Sequence, residues 1–541
     1  MKNNPNKLWI AVIALGWAFD FLFWKQAPGA NFAIFAMLCV TAAFYLLMND
    51  GLRPHRTTLI LIPLFIFFAA VTFIRAEPMT VFLAYTFTLF TMTLLTVTFL
   101  GGRWIQYTIA DYVAKGVMLL ASLIGRPVTF SLDAKKAQTE AEIKTAKFNL
   151  WPILRGLLIA LPIVAIFASL LASADVVFGQ RLGDFVELFK LENLPEYIFR
   201  VIYILFIAYA LAGVVLHAAS ESKDEKLTSD DKPMIPAFLG FTESAIVLGS
   251  VVILFALFVI VQFQYFFGGH ANINVEGYTY SEYAVKGFGE LVTVAFFSLF
   301  MLLGLNAITK RETESQRKIY SGLGVALVAL LLVMLFSAYQ RLGLYEAVYG
   351  FSRLRTYTHV VLYWIGTLLV ATIVLEITHK ERYFTFALLV ASFGFAISLP
   401  IVNVDAFIVR QNIAHEIKSV TTSGNSGSSR VEGEDNFDEQ YLTQLSDDAV
   451  PALVTAFKEK SVSTDLHEQV GASLACVRYD REQEKREYSW QSFNFARFNA
   501  DNALTSVDKN LDEYEIIKED WTAKVVTPSG EEFQCSTYYY D

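Results

Sequence analysis

The sequence predicts an all-α polytopic membrane protein with about eleven transmembrane helices, one interfacial helix and a small α+β C-terminal soluble domain. Composition is the first reason. Hydrophobic residues make up 55% of the 541 positions and charged residues only 18%, whereas a soluble chain carries about 25% charge. A series of long apolar stretches is the second reason, and an acidic tail is the third. Disordered, collagen-like, coiled-coil and disulfide-rich secreted proteins are excluded.

Apolar stretches of about 20 residues have the length of a helix that crosses a bilayer. The sequence contains eleven of them: Leu8–Trp24, Asn31–Met48, Thr57–Ile74, Met79–Leu100, Pro152–Ala172, Glu196–Ala219, Phe238–Phe267, Tyr283–Ile308, Ile319–Gln340, Arg355–Thr378 and Arg382–Val402. The first stretch resembles a signal peptide. No clear cleavage site follows it and ten more stretches do, so we expect it to be retained as a span.

The segment Arg103–Ile124 repeats apolar residues at helical spacing but is not counted as a span. It contains Arg103, Asp111 and Lys115, which are costly inside hydrocarbon. We therefore predict a helix that lies along the inner interface. The alternative is a twelfth span, which would invert every later loop.

Basic residues indicate the orientation of the spans. If the N-terminus is cytoplasmic, the loops on the inside hold more than twice as many Lys and Arg residues as the loops on the outside. This is the bias that membrane proteins show. Eleven crossings then place the C-terminal domain on the extracytoplasmic side.

The sequence divides into a transmembrane domain at residues 1–415, a flexible linker at 416–436 and an acidic extracytoplasmic domain at 437–541. The linker is predicted because Ser419–Asn436 is rich in Ser, Gly and acids. The last domain favours helices up to Asn510 and strands from Tyr514, with a hairpin turn at Thr527–Gly530.

The tail also restricts partners and chemistry. From Glu416 onward acidic residues outnumber basic residues roughly two to one, which argues against a nucleic-acid partner. Cys476 and Cys535 lie in one small domain and are a candidate disulfide in an oxidising compartment.

The sequence has no phosphate-binding loop, dinucleotide fingerprint or zinc-protease motif. We predict no cofactor and no metal site, and the sequence gives a non-enzymatic role more support than an enzymatic one.

Charged residues within or beside spans are the default functional candidates in a membrane protein. At the start of the eighth stretch, Glu282, Lys286 and Glu290 recur every four residues, which places them on one helix face. The span must include Glu290 to reach about 20 residues. The alternative interpretation is a structural ion pair at the helix end.

Other polar residues fall at the same outer level. Arg353, Arg355 and His359 open the tenth span, and Asp405 and Arg410 follow the eleventh. With Glu282, Lys286 and Glu290, they predict an outward-facing polar site beneath the C-terminal domain. Asp20, Arg75, Gln262, Gln264, Tyr357 and Asn403 fall at this level too. Glu243, toward the inner end of the seventh span, is a separate candidate for a binding role. Each residue taken alone is also compatible with a simple interfacial position.

Four stretches carry a family resemblance. Gly277–Val292 looks like a "Y-A-x-x-G-F-x-E-L-V" helix, Leu344–Tyr357 like an "L-Y…G-x-T/S-x-x-R-x-Y" segment, and Asn403–Asn412 like an "N-x-D-x-x-I/V-x-x-x-N" end, while Leu445–Leu453 resembles the helix start that follows. Together they resemble a bacterial family of multi-pass inner-membrane proteins that is filed as a domain of unknown function. The resemblance covers about Phe238–Leu453, with a family-like core at about 238–415. It implies a bacterial inner-membrane location and supplies no catalytic residues.

Three functions remain open. The first is transport, or the handling of a lipid or envelope ligand through the outward polar site, which predicts a water-accessible cavity. The alternative is a membrane-anchored sensor or envelope assembly factor whose C-terminal domain binds an envelope protein, which predicts an exposed aromatic patch near Trp490, Phe493 and Phe495. The third is a membrane enzyme with Glu290 or Asp405 as acid or base. All three have the lipid bilayer as a partner.

Overall fold

The chain divides into two compact units in the computed structural model, which describes residues 5–141, 150–175, 177–181, 194–223, 227, 237–267, 288–423, 439–459, 463–483, 489–518 and 523–535. One unit comprises Met1–Lys25, Leu38–Arg53 and Val117–Ser222. The other comprises Gln26–Met37, Pro54–Gly116 and Lys223–Asp541.

Long apolar helices form most of the chain. They are α1 Pro5–Phe23, α2 Ala30–Asn49, α3 Arg56–Leu59 with α4 Leu61–Ile74, α5 Pro78–Val97, α6 Ile109–Ala141, α7 Leu150–Ala174, α8 Leu194–Ser220, α9 Phe241–Phe267, α10 Phe288–Ile308, α11 Glu314–Tyr349, α12 Arg353–Ile377 and α13 Phe384–Val402. Among the described residues, eleven stretches are long and apolar enough to cross a membrane. The predicted fold class of a multi-pass helical membrane protein is confirmed.

Ten of these eleven stretches coincide with predicted spans. The eleventh, Ile109–Asp133, lies in α6, where the sequence predicted an interfacial helix. The helix begins later than expected, because Trp104–Gln106 forms a short 3₁₀ turn and Asp111 accepts a hydrogen bond from the Thr108 amide at 2.9 Å. Length and composition are compatible with a crossing by α6, so its interfacial placement stays a prediction. The predicted span Pro152–Ala172 lies inside α7.

The first unit is held by close approaches between helices. A Cβ atom at Gly16 of α1 would lie 2.6 Å from the Ile204 carbonyl oxygen of α8, so only glycine lets the two backbones meet here. A Cβ atom at Gly213 of α8 would lie 2.6 Å from the Cα atom of Leu123 in α6. Asp20, which the sequence places at the outer level of the predicted polar site, is buried and accepts a bond from Arg200 Nε at 2.8 Å.

The second unit contains the remaining helices and the C-terminal domain. Buried leucines of α9, α11 and α12, among them Leu248, Leu327 and Leu369, form its membrane core. The start of α9 and the end of α10 lie on the same side, since Lys310 donates its amide proton to the Leu239 carbonyl at 2.9 Å. Because α11 starts just after this point and runs to Tyr349, its two ends lie on opposite sides of the unit.

The C-terminal domain combines short helices with one small sheet. Helix α14 Val404–Ser423 follows the last span. The helices of the domain are α15 Glu439–Thr443, α16 Val450–Lys458, α17 Thr464–Gln483, α18 Phe495–Thr505 and α19 Asp508–Leu511, and its strands are β1 Glu515–Lys518, β2 Ala523–Val526 and β3 Glu532–Gln534. The sheet is antiparallel in the order β1-β2-β3, with Ile516 opposite Val525 and Val525 opposite Phe533. Gly530, at φ +93°, completes the predicted hairpin turn.

The core of this domain extends into the helix that follows the last span. Val409 and Ile413 of α14 pack with Leu453 and Val470. Helix α14 continues to Ser423, into the segment predicted as a linker, and residues 424–438 lie outside the described residues. Cys476 of α17 is bonded to Cys535, directly after β3, with a Cα–Cα distance of 5.3 Å. The exact limits of the domains stay a prediction.

We expect the disulfide to be a main source of stability in the C-terminal domain. It closes a loop with a sequence separation of 59 residues, so replacing both cysteines by alanine should cost about 4 kcal/mol. Urea-dependent proteolysis of the full chain in detergent measures this loss. Reductant should destabilise the wild type and Cys39→Ala equally and leave Cys476→Ala/Cys535→Ala unchanged. An equal response of the double variant to reductant would show that the bond is not the cause.

Candidate functional site

An ion pair between half-buried Arg353 and fully buried Asp405 joins the start of α12 to the start of α14. Ser352 caps α12 by accepting the Arg355 amide, which places Arg353 in the first turn. Asn403, in the left-handed conformation at φ +55°, ends α13 and lets the chain re-enter a helix at once, which positions Asp405. Arg353 donates to both carboxylate oxygens of Asp405, at 2.7 and 2.6 Å, and Asp405 is fully buried. This two-pronged geometry is the strongest form of an Arg–carboxylate contact.

The same pair binds the first segment of the C-terminal domain, residues 439–448, which we call the C-terminal segment. The Ser446 amide donates to Asp405 Oδ2 at 2.7 Å. The Arg353 amide donates to the Tyr441 hydroxyl oxygen at 2.6 Å. Asp405 therefore accepts bonds from a helix end and from the C-terminal segment at once, which offsets the cost of burying its charge.

A second buried carboxylate, Asp448, binds the turn between α4 and α5. Its Oδ2 accepts the amides of Ala76 and Glu77 at 2.7 and 3.1 Å, and its Oδ1 accepts Arg75 Nη1 at 3.2 Å. Burial raises the pKa of Asp448, and the Ala76 amide and the Arg75 guanidinium oppose that rise. Arg75 also donates to the Pro400 carbonyl at 2.7 and 3.0 Å. This carbonyl lies in the last turn of α13, where it has no partner within the helix.

The third contact connects α5 to α12. Glu77 is buried and caps α5 by accepting the amides of Met79 and Thr80 at 3.0 and 2.8 Å. The Tyr357 hydroxyl of α12 donates to Oε1 of the same carboxylate. We use the name polar clamp for the six residues that make the three contacts: Arg75, Glu77, Arg353, Tyr357, Asp405 and Asp448.

Two more predicted residues lie in the same helix start but have other partners. Arg355 donates to the Tyr349 carbonyl at 2.9 Å and its guanidinium lies 4.3 Å from the centre of the Tyr345 ring. His359 Nε2 lies 2.7 Å from Glu346 Oε2. Within the described part of the chain, Glu346 Oε1 and His359 Nδ1 are buried without a hydrogen-bond partner. Glu346 lies beyond the apolar stretch Glu314–Gly343, and burial raises its pKa to about 7.

The remaining predicted residues lie elsewhere. Arg410 is exposed and its Nε donates to the Ala406 carbonyl of its own helix at 3.0 Å. Glu243 is exposed and accepts the Gly240 amide at 2.8 Å, so it caps the start of α9. Glu290 is exposed in the first turn of α10. Glu282 and Lys286 lie outside the described residues. The structure thus joins Arg353 to Asp405 and places Arg355 and His359 nearby.

Several residues of the site were not singled out from the sequence. Glu77 precedes Pro78, and an acidic cap before proline is a recognisable helix start. Asn412 was visible only as the last position of a family motif. Its side-chain amide binds both the N–H and the C=O of Phe351, at 2.6 and 2.9 Å. Asp448 and Glu346 carried no local signal of a role. Among the described residues, no group of three or more His, Cys, Asp or Glu is placed to hold a metal ion.

The helices and the polar clamp define a multi-pass membrane protein with a disulfide-bonded domain that is joined to the ends of α4, α5 and α12. The sequence profile of a family described as "Domain of unknown function (DUF4153)" matches residues 62–456, and the chain belongs to this family. The match reaches further toward the N-terminus than the stretches that carry the resemblance, and it includes all six residues of the polar clamp. No curated protein and no solved structure matches the chain.

We predict that Asp405→Ala destabilises the second unit by about 3–5 kcal/mol, because the half-buried Arg353 guanidinium and the Ser446 amide both lose the carboxylate that accepts their hydrogen bonds. Arg410→Ala is the matched control on the same helix, with an expected loss below about 0.5 kcal/mol. Both are measured by thermal unfolding of the full chain in detergent, with proteolysis of the C-terminal domain as a second readout. Similar losses in the two variants would argue against the role given to the ion pair.

Proposed function

We propose that this protein is a membrane-anchored sensor or assembly factor of the bacterial cell envelope that acts through its C-terminal domain. One observation carries the proposal: Arg353 and Asp405, which the sequence assigned to an outward ligand site, bind each other and the C-terminal segment. Side chains whose hydrogen-bonding groups already have partners form a poor binding site for a transported ligand. They are well suited to join a domain to the ends of membrane helices.

The polar clamp gives this joint its stiffness. Asp448, on the C-terminal side of the joint, binds Arg75 at the end of α4. Asp405, directly after the last span, binds both Arg353 at the start of α12 and the Ser446 amide of the C-terminal segment. Breaking one buried pair of this kind costs about 3–5 kcal/mol. Binding of a partner to the C-terminal domain therefore acts on the helix ends, because the ion pairs of the polar clamp stay intact.

A cavity in the C-terminal domain is the proposed site for the envelope partner. It has a volume of about 400 Å³ and is lined by Phe457, Lys458, His467, Glu468 and Tyr514, among others. Volumes of this order fit a small molecule or a protruding peptide side chain. Hydrogen bonds from Ser529 and Thr527 lower the pKa of Glu468, and the lining also contains Lys458 and Glu513.

Two observations support an extracytoplasmic position for this domain. The bond between Cys476 and Cys535 is typical of an oxidising compartment. The loops on the opposite side are rich in Lys and Arg, as expected of a cytoplasmic face. In this orientation the protein lies in the inner membrane and its N-terminus is in the cytoplasm.

A pair of cysteine variants tests this orientation. In a Cys39→Ala background, Ser529→Cys lies in the exposed hairpin turn and Ser315→Cys in the exposed start of α11, on opposite sides of the unit. A membrane-impermeant maleimide should label Ser529→Cys in intact cells and Ser315→Cys only after permeabilisation. The reverse pattern would place the C-terminal domain in the cytoplasm and overturn the proposal.

Site-specific photocrosslinking tests the partner site. A photoreactive residue at Asn510, an exposed residue of the cavity wall, should give a discrete adduct in cells, because a bound partner lies within reach. The same residue at Glu482, exposed on α17 and not part of the cavity wall, should not give that adduct. Adducts of identical mass and yield from both positions would remove the cavity as the site.

The contact between Glu346 and His359 favours transport as a second candidate function. Each residue keeps a buried polar atom without a partner in the described part of the chain, which costs about 1–3 kcal/mol per group. A role in handling a proton or a ligand is one explanation of such a cost. A transporter predicts that Glu346→Gln changes proton uptake by vesicles that contain the protein. A sensor predicts the same uptake in the variant and the wild type.

A further inference from the structure

Four exposed aromatic residues lie within nine consecutive positions of the C-terminal domain. Trp490, Phe493, Phe495 and Phe498 are between 40% and 58% exposed, and the rings of Phe493 and Phe498 lie 5.9 Å apart. We name these four residues the aromatic patch. Clustered aromatic residues at a protein surface indicate a contact with another apolar surface.

The backbone beside the aromatic patch is bonded directly to the ends of membrane helices. The Ala30 amide, the first of α2, donates to the Phe493 carbonyl at 2.9 Å. Asn494 Nδ2 donates to the carbonyl of Arg75, the residue after α4, at 3.1 Å. A Cβ atom at Gly29 would lie 2.6 Å from the Ser492 carbonyl carbon, so the two segments are in contact.

The lengths of these helices fix the level of the bilayer. Helix α2 has 20 residues, which at 1.5 Å per residue is about 30 Å. The hydrocarbon core is also about 30 Å thick, so the first residue of α2 lies at its boundary. Helix α5, which starts three positions after Arg75, has 20 residues too and sets the same level. Phe493 and Asn494 therefore lie within hydrogen-bond distance of the boundary between hydrocarbon and headgroups.

We propose that the aromatic patch is seated in the headgroup region of the bilayer that the helices cross, and that lipid is its partner. Aromatic residues concentrate at this level, where the ring meets acyl chains and the polar atoms meet water. A protein partner would have to displace headgroups to reach the patch, because the bonds to Ala30 and Arg75 hold it against the helix ends. The C-terminal domain thus contacts the membrane through the polar clamp and through lipid.

Spin labelling tests this position in the full chain. In the Cys39→Ala background, with the disulfide intact, Phe498→Cys and the control Ser529→Cys are labelled with a nitroxide. The protein is reconstituted in vesicles of phosphatidylethanolamine and phosphatidylglycerol. Accessibility to oxygen and to a water-soluble nickel chelate gives the depth of each label. We expect the label at 498 within about 5–10 Å of the boundary between headgroups and acyl chains, and the label at 529 in water.

Each outcome decides the matter. Equal exposure of both labels to the nickel chelate would overturn the proposal and leave the aromatic patch free for a protein. Spin–spin broadening at 498 that vanishes on dilution with unlabelled protein would also overturn it, because the patch would then meet a second copy. Quenching of tryptophan fluorescence by brominated lipid is an independent measurement that does not need Phe498→Cys to fold. Weaker quenching in Trp490→Phe than in the wild type supports the proposal.

Discussion

The ion pair between Arg353 and Asp405 is the contact on which the arrangement of the helix ends depends. Its carboxylate is fully buried, and the Arg353 guanidinium and the Ser446 amide both donate to it, which offsets the cost of burying it. The start of α12, the start of α14 and the C-terminal segment therefore cannot separate without exposing an unpaired charge. Asp448, bonded to Arg75 and two backbone amides, applies the same constraint to α4 and α5.

The positions of the spans follow from the sequence because the bilayer imposes both their length and their apolar character. Arg353 and Asp405 were selectable for a related reason, since a charge beside an apolar stretch must be compensated. The contact between Asp448 and Arg75 was not predictable. Its two residues are 373 positions apart, and no periodicity relates them. Helix α6 is ambiguous because its composition is compatible both with a crossing and with the interface.

Charged residues near the ends of spans have two interpretations, a ligand site or a structural joint. The hydrogen-bond inventory of the side chains separates them. Asp405 and Asp448 accept several bonds each, which is typical of a joint. Glu346 and His359 share one bond and keep buried atoms without a partner in the described part of the chain. This pattern is compatible with a group that handles a proton or a ligand. Arg353, the partner of Asp405, and His359, the partner of Glu346, both lie in the first two turns of α12, so depth alone does not distinguish the two kinds of group.

The long separation between Arg75 and Asp448 has a consequence for biogenesis. A ribosome that adds about 5–20 residues per second needs roughly 20–75 s to travel the 373 positions between them. During that time the first spans reside in the membrane while the Arg75 guanidinium and the Glu77 amide await a carboxylate that has not been synthesised. Closure of the polar clamp is therefore a late event in maturation, and a nascent chain that stops short of Asp448 cannot complete it.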